Sequence, residues 1–295
     1  MTASARRAAV LGHPIGHSLS PVLHGAAYAS LGLDWRYDAV DVTEAGLAGF
    51  LDGLGEEWVG LSLTMPLKQR VLDLAASVDD TAEATGAANT IVWAGTGQGR
   101  RAHGYNTDVT GIVAALTEPD EALPDDREAP STEVDADGAL VLGAGATAAS
   151  ALAALGQLGA SAATALVRSV ERAAGLREVA LRLGVALEVT TLDSWSELAP
   201  RAGLVVSTLP GGAGDVLAPV DAGVRGTLLD VAYAQRPTAL GSRWHAAGGR
   251  YVSGERMLLH QAVEQVRLFA QSTGLVVDDL PSVTAAMDTA LQQYL

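Results

Sequence analysis

A chain of 295 residues, 48% of them hydrophobic, has the length of about two domains at ~150 residues each and enough apolar material for buried cores. Its formal charge of −15, from 34 acidic against 19 basic residues, argues against nucleic acid or an anionic membrane as partner, since either would need clustered cations. The absence of cysteine rules out a disulfide framework and thiolate chemistry and suits a reducing compartment, and the first residues, Met1 to Arg7, lack the apolar core of a secretory signal, so the cytoplasm is the expected location.

In chain order, the first part alternates between strand and helix patterns. Strands are expected at Ala8–Leu11, Trp35–Val40 and Val59–Leu63, with helices at Val22–Leu31 and Glu44–Leu54 between them, which makes an α/β unit. The first loop runs Gly12-His-Pro-Ile-Gly-His-Ser18-Leu-Ser20-Pro21. Ser20 before Pro21 reads as an N-cap, with proline at the first helical position. Ser18 is not explained by capping, and two hydroxyls at a helix N-terminus would clasp a carboxylate. His13 and His17 have a ligand-like spacing of four, but Pro14 and Gly16 deny them a helix, so no metal site is expected. The next loop holds the chain's single lysine, Lys68, against eighteen arginines. An ammonium can lose its proton when buried or paired, whereas guanidinium stays charged, so a lone lysine in the uncharged segment Gly60–Lys68 is a candidate acid and base.

Glu118 to Asp137 carries nine acids, three prolines and one arginine, and reads as an exposed, mobile linker. Gly138 to Val167 then runs thirty residues without a charge, but most are Ala, Gly, Ser and Thr, and the stretch divides at Gly143-Ala144-Gly145. A strand at Ala139–Leu142, a helix at Ala146–Leu158 ended by Gly159, and a strand at Thr164–Val167 fit it better than a membrane span. Gly143, Gly145 and Ala148 form a G-x-G-x-x-A turn between strand and helix, the arrangement that brings backbone close to a pyrophosphate at a helix N-terminus. Gly143, Ala144, Gly145, Ala146 and Thr147 are therefore candidate cofactor contacts. After the second strand stand Arg168, Ser169 and Arg172 where an NAD site would place an acid, so the expected cofactor is NADP(H). Leu204–Thr208 and Thr227–Val231 read as further buried strands of the same parallel sheet.

Several motifs, in order, resemble the shikimate dehydrogenase family: Gly12-His-Pro-Ile to Ser18-Leu-Ser20-Pro21, Leu63-Thr64-Met-Pro-Leu-Lys68, Gly86-Ala-Ala-Asn89-Thr90 and Tyr105-Asn-Thr-Asp108. Beyond the acidic segment, the glycine turn, Asp230-Val-Ala-Tyr233 with Arg236-Pro-Thr238, and Gly254-Glu-Arg-Met-Leu-Leu-His-Gln261 continue the resemblance over nearly the whole chain.

The resemblance implies a two-domain α/β protein: a substrate domain over 1–116, the acidic linker 117–137, a Rossmann-type doubly wound NADP domain over 138–249, and C-terminal helices over 250–295 returning to the substrate domain. It also implies reversible, NADPH-dependent reduction of 3-dehydroshikimate to shikimate. Lys68 matches the acid/base lysine and Asp108 its partner at the substrate hydroxyl. Ser18 and Ser20 match the substrate carboxylate contacts, and Thr64, Asn89, Tyr233 and Gln261 match further substrate contacts. Val231 and Gly254 match positions at the nicotinamide end of the cofactor, and Asp80 matches a position sometimes counted as a cofactor contact. No metal is implied, and the expected assembly is a monomer or homodimer. Departures include Ser62 and Leu63 in place of the usual asparagine and valine, Val167 for an asparagine, and Ala146 for a glycine. A quinate/shikimate dehydrogenase using NAD, or a catalytically silent metabolite-sensing relative, would share these motifs.

Overall fold

The structure is a computed structural model that describes residues 6–95, 97–119, 136 and 138–295. By contacts the chain divides into two units, one of Met1–Thr107 with Leu258–Leu295 and the other of Asp108–Met257.

The first unit begins with β1 (Arg6–Gly12), α1 (Ser20–Ser30), β2 (Trp35–Asp41), α2 (Glu44–Asp52) and β3 (Trp58–Leu63). The short α3 (Leu67–Arg70), β4 (Ser77–Val78) and α4 (Asp80–Thr85) follow, then β5 (Thr90–Ala94) and β6 (Arg101–Tyr105). The sheet order is β2-β1-β3-β5-β6-β4. β1 pairs in parallel with β2 and β3, while β5 runs antiparallel to β3 and β6, so the sheet is mixed. Helix starts are set locally: Thr43 caps α2 by accepting from the Gly46 N–H, and Asp79 caps α4 by accepting from Ala82 at 2.8 Å. Gly86 closes α4 in the left-handed conformation at φ 65°, which glycine adopts without steric cost. Leu11, Leu47, Leu61 and Ile91, all fully buried, form the core between sheet and helices.

The second unit starts in α5 (Thr107–Thr117) and continues through β7 (Ala139–Leu142), α6 (Ala146–Gln157), β8 (Ala162–Val167), α7 (Ala174–Leu183) and β9 (Ala186–Thr191). It then adds α8 (Trp195–Leu198), β10 (Leu204–Ser207), β11 (Thr227–Asp230), α9 (Ala239–Ala246) and β12 (Arg250–Ser253). All six strands are parallel, in the order β9-β8-β7-β10-β11-β12. That is the doubly wound dinucleotide-binding arrangement, with its switch point between β7 and β10. One face is covered by α5, α6 and α7, where Ala148, Ala151 and Ala154 let α6 lie close to the strands, and Trp195 and Trp244 fill the other. The uncharged stretch is thus β7-α6-β8, and among the described residues no helix is long and apolar enough to cross a membrane.

Two helices end the chain, α10 (Gly254–Ser272) and α11 (Leu280–Tyr294). In the first unit α11 packs on α1. Phe269 of α10 occupies the space over Gly60, where a Cβ would lie 2.0 Å from its ring, so β3 needs glycine there to receive the helix. Most of the acidic segment lies outside the described residues, but Glu118, its first residue, is held rather than free. Arg250 donates to the carbonyls of Leu116 at 2.9 Å and Glu118 at 2.7 Å, and Arg256 pairs with the Glu118 carboxylate. Arginine on the last carbonyls of α5 satisfies groups the helix itself leaves unpaired.

Candidate active site

In the first unit the candidate residues cluster where loops leave β1 and β3. Gly12 allows this, because a Cβ there would stand 2.4 Å from Thr64 Cγ2. The two loops are joined by Thr64 N–H to the Leu11 carbonyl at 2.9 Å and His13 N–H to the Met65 carbonyl at 3.1 Å. The β1 loop carrying Ser18 and Ser20 and the β3 loop carrying Thr64 and Lys68 are thereby held side by side. Lys68, in α3, is half-buried, and its carbonyl accepts from the Ala88 N–H at 2.8 Å.

Asn89 is the hub of this cluster. It is 2% exposed, and its Oδ1 accepts from the Thr107 N–H at 2.8 Å and the Thr90 hydroxyl at 2.9 Å. Its Nδ2 donates to Thr107 Oγ1 at 2.9 Å and Gln261 Oε1 at 3.3 Å. Gln261 in turn donates to the Leu258 carbonyl, which leaves its amide no free rotation. Residues 88 and 89 therefore hold the lysine segment, the helix that brings in Gln261, and the residue just before Asp108.

The expected capping of α1 is corrected. Ser20 is the first helical residue and Leu19 stands at the cap position without a side-chain bond; the hydroxyl that accepts, from the Ser20 N–H at 3.3 Å, belongs to Ser18. Ser20, 5% exposed, lies buried near the Tyr37 phenol. The Ser18 hydroxyl proton is not used by that contact. Asp80 stands exposed in the first turn of α4, where a carboxylate suits the helix dipole, with no contact that singles it out for a ligand. His13 bonds Asp41 at 2.6 Å, and the described residues hold no group of three or more potential metal-ligating His, Cys, Asp or Glu.

In the second unit Gly143 ends β7 with φ 113°, and a Cβ on it would lie 2.5 Å from Thr208 Oγ1. Thr208 is fixed there by two bonds to the Leu142 carbonyl, from its N–H at 2.9 Å and its hydroxyl at 2.8 Å. The turn thus sits at the switch point. Gly145 precedes α6 with open space above it, and α6 has neither a side-chain cap nor an acid in its first turn. Ala144, Ala146 and Thr147 complete the turn. Its first N–H groups are available to an anion such as a diphosphate, and the open position over Gly145 fits one.

Arg168, exposed at the end of β8, and exposed Arg172 flank a residue the sequence reading passed over, Glu171. Ser169 donates to Glu171 Oε2 at 2.6 Å, which holds that carboxyl below its ordinary range. The serine proton is therefore committed within the loop. Val231 and Gly254 approach closely, since a Cβ on Gly254 would lie 2.4 Å from the Val231 carbonyl oxygen. The Tyr233 loop is anchored by Arg236, which donates to the Tyr233 carbonyl at 2.8 Å and pairs with Glu255. Burial pushes both the Tyr233 phenol and the Glu255 carboxyl up. Asp230, 4% exposed and likewise pushed up by burial, accepts from Thr238 at 2.7 Å at the start of α9.

Side chains missed by sequence reasoning lie under the Asn89 cluster. Tyr37, Ser62, His24 and Gln265 are all buried and joined by hydrogen bonds, and the sequence signals were Ser62 as a departure from the family pattern and Gln265 one helical turn after Gln261.

Comparison with known proteins matches the family model described as the shikimate dehydrogenase substrate binding domain to residues 10–91. A shikimate dehydrogenase (NADP(+)) of Caulobacter vibrioides is 35% identical over 89% of this chain and 89% of its own. The crystal structure of Mycobacterium tuberculosis shikimate dehydrogenase is similar at 36% identity and TM-score 0.78, covering 96% of this chain and 99% of that one. A shikimate 5-dehydrogenase of Thermus thermophilus, solved in complex with NADP(H) and shikimate, is 30% identical with TM-score 0.74, over 97% and 99% of the two chains.

Proposed function

The chain belongs to the shikimate dehydrogenase family, and we propose that it catalyses the reversible, NADPH-dependent reduction of 3-dehydroshikimate to shikimate. The observation that carries this reading is the pair Ala88–Asn89: Ala88 bonds the backbone of Lys68, and Asn89 bonds the amide of Gln261 and the residue before Asp108.

In this reading Ser18 and Ser20 receive the substrate carboxylate, and Asn89, Thr64 and Gln261 orient the ring hydroxyls. Several fixed donors and acceptors suit a polyhydroxylated acid, because a site built to bond hydroxyls rejects analogues that lack them. When bound, NADPH supplies a hydride to the carbonyl carbon. Lys68 delivers the proton that the carbonyl oxygen needs as it becomes a hydroxyl, and withdraws it in the oxidation direction. Asp108 is its partner at that oxygen and stabilises the ammonium form. Tyr233, on the loop anchored by Arg236, is a further substrate contact.

The Gly143–Thr147 turn would hold the diphosphate and Val231 and Gly254 would meet the nicotinamide end. Arg168 and Arg172 would bind the 2′-phosphate that separates NADP from NAD. Glu171 and the committed Ser169 temper that preference. Purified protein assayed for reduction of 3-dehydroshikimate by NADPH tests the reading, and no turnover would refute it.

A further inference from the structure

Below the residues assigned to substrate, Gln265 makes four hydrogen bonds while only 1% exposed. Its amide can point only one way. The Asn89 carbonyl can only accept, and Gln265 Nε2 lies 3.4 Å from it and 3.0 Å from Thr90 Oγ1. Oε1 therefore faces the opposite side, where Ser62 Oγ lies at 2.7 Å and His24 Nε2 at 3.2 Å. Both must donate. His24 accordingly carries its proton on Nε2 and turns its Nδ1 lone pair to the Tyr28 hydroxyl at 3.4 Å.

The direction set at Gln265 passes outward. Ser62, having given its proton to the amide, accepts from the Tyr37 phenol at 2.7 Å, and buried Ser20 stands near enough to that phenol to act on it. His24 stacks on Tyr37 with ring centroids 3.9 Å apart and planes 10° apart, which fixes the phenol ring as well. One amide thus reaches the Asn89 backbone carbonyl through its NH2 group and, through its oxygen and Ser62, the Tyr37 phenol beside Ser20. We propose that Gln265 is a positioning residue that holds the Asn89 side and the Ser20 side of the substrate pocket in one fixed arrangement. This rests on the shikimate dehydrogenase reading. Residues that merely fill the core stabilise the fold; this one also decides which way the hydroxyls around the substrate point, because buried networks with every member bonded leave no alternative orientation.

Gln265→Met keeps the volume and removes the donor and the acceptor. Its steady-state kinetics with shikimate and NADP+ are compared with the intact enzyme, alongside NADPH binding followed by nicotinamide fluorescence. The KM for shikimate is expected to rise about tenfold or more, while NADPH affinity stays within about twofold. A folded variant with unchanged shikimate KM and kcat would overturn the positioning role, since a purely structural glutamine lowers thermal stability without that split. Should Gln265→Met fail to fold, Ser62→Ala decides: it cuts only the branch to Tyr37 and Ser20, and is expected to raise shikimate KM about threefold or more with NADPH binding retained. Unchanged KM in Ser62→Ala would then overturn the proposal. If the wild-type enzyme turns over no 3-dehydroshikimate, the functional reading fails and takes this role with it; wild-type turnover with unchanged KM in the variants removes the positioning role alone.

Discussion

Thr107 donates its backbone N–H to Asn89 Oδ1 at 2.8 Å, and Asn89 returns Nδ2 to the Thr107 hydroxyl at 2.9 Å. A side chain next to β5 thus caps the first turn of α5, where a backbone N–H has no partner within the helix. Asp108 is the following residue, so the placement of its backbone depends on this pair. Replacing Asn89 with alanine leaves buried partners unsatisfied at about 1–3 kcal/mol. The expected result is a roughly hundredfold loss in kcat/KM for shikimate in a protein that remains folded by circular dichroism.

Lys68→Arg keeps a positive charge but puts in place a group that does not give up its proton near neutral pH. Turnover is expected to fall about 10²- to 10⁴-fold, the range of general acid and base contributions, with NADPH binding within about twofold of wild type. Turnover near wild type would remove Lys68 from the reaction.

In the proposed reading, cofactor choice depends on a loop with charges of both signs. Arg168→Ala is expected to raise the KM for NADP+ by roughly three- to tenfold and leave that for NAD+ nearly unchanged, because an exposed guanidinium is partly screened. Glu171→Gln acts in the opposite sense, lowering the KM for NADP+, since it removes a carboxylate beside Arg168 and Arg172. Equal responses of both cofactors to either change would detach this loop from the 2′-phosphate.

Acid should weaken the first unit through His24. Burial lowers its pKa from 6.5 to about 3. As pH falls below 6.5 the unfolded chain takes up a proton that the folded chain refuses, so the stability present above 6.5 is lost progressively toward 3, at about 1.4 kcal/mol per pH unit for this group. Urea midpoints measured near neutral pH and near pH 5 should show wild type losing roughly 2 kcal/mol more than His24→Asn over that interval. Equal losses would mean that the imidazole becomes protonated in place.

The second unit was legible because its signals are local. A short buried strand, a glycine turn and a small-residue helix occupy consecutive positions, and Gly143 and Gly145 stand between β7 and α6 where their spacing placed a turn. In the first unit β5 and β6 were not foreseen: Arg101-Ala-His-Gly-Tyr105 has no clean alternation, and both strands owe their place to pairing with β3 and with each other. The same division holds at the site. Lys68 and Asn89 stand in motifs that can be read along the chain, whereas Ser62 and Gln265 meet across 203 positions and look, one by one, like an ordinary strand serine and a helix-surface amide. The cap was placed at Ser20 because proline at the next position is a strong local signal, and only the fold shows Leu19 at that position and Ser20 buried near Tyr37.

The most direct measurement is steady-state absorbance at the nicotinamide band, with shikimate or quinate as substrate and NADP+ or NAD+ as oxidant. Shikimate with NADP+ is expected to give the highest kcat/KM of the four pairs, by about tenfold or more. A preference for quinate or for NAD+, or no turnover with any pair, would contradict the assignment of this chain as an NADP-dependent shikimate dehydrogenase.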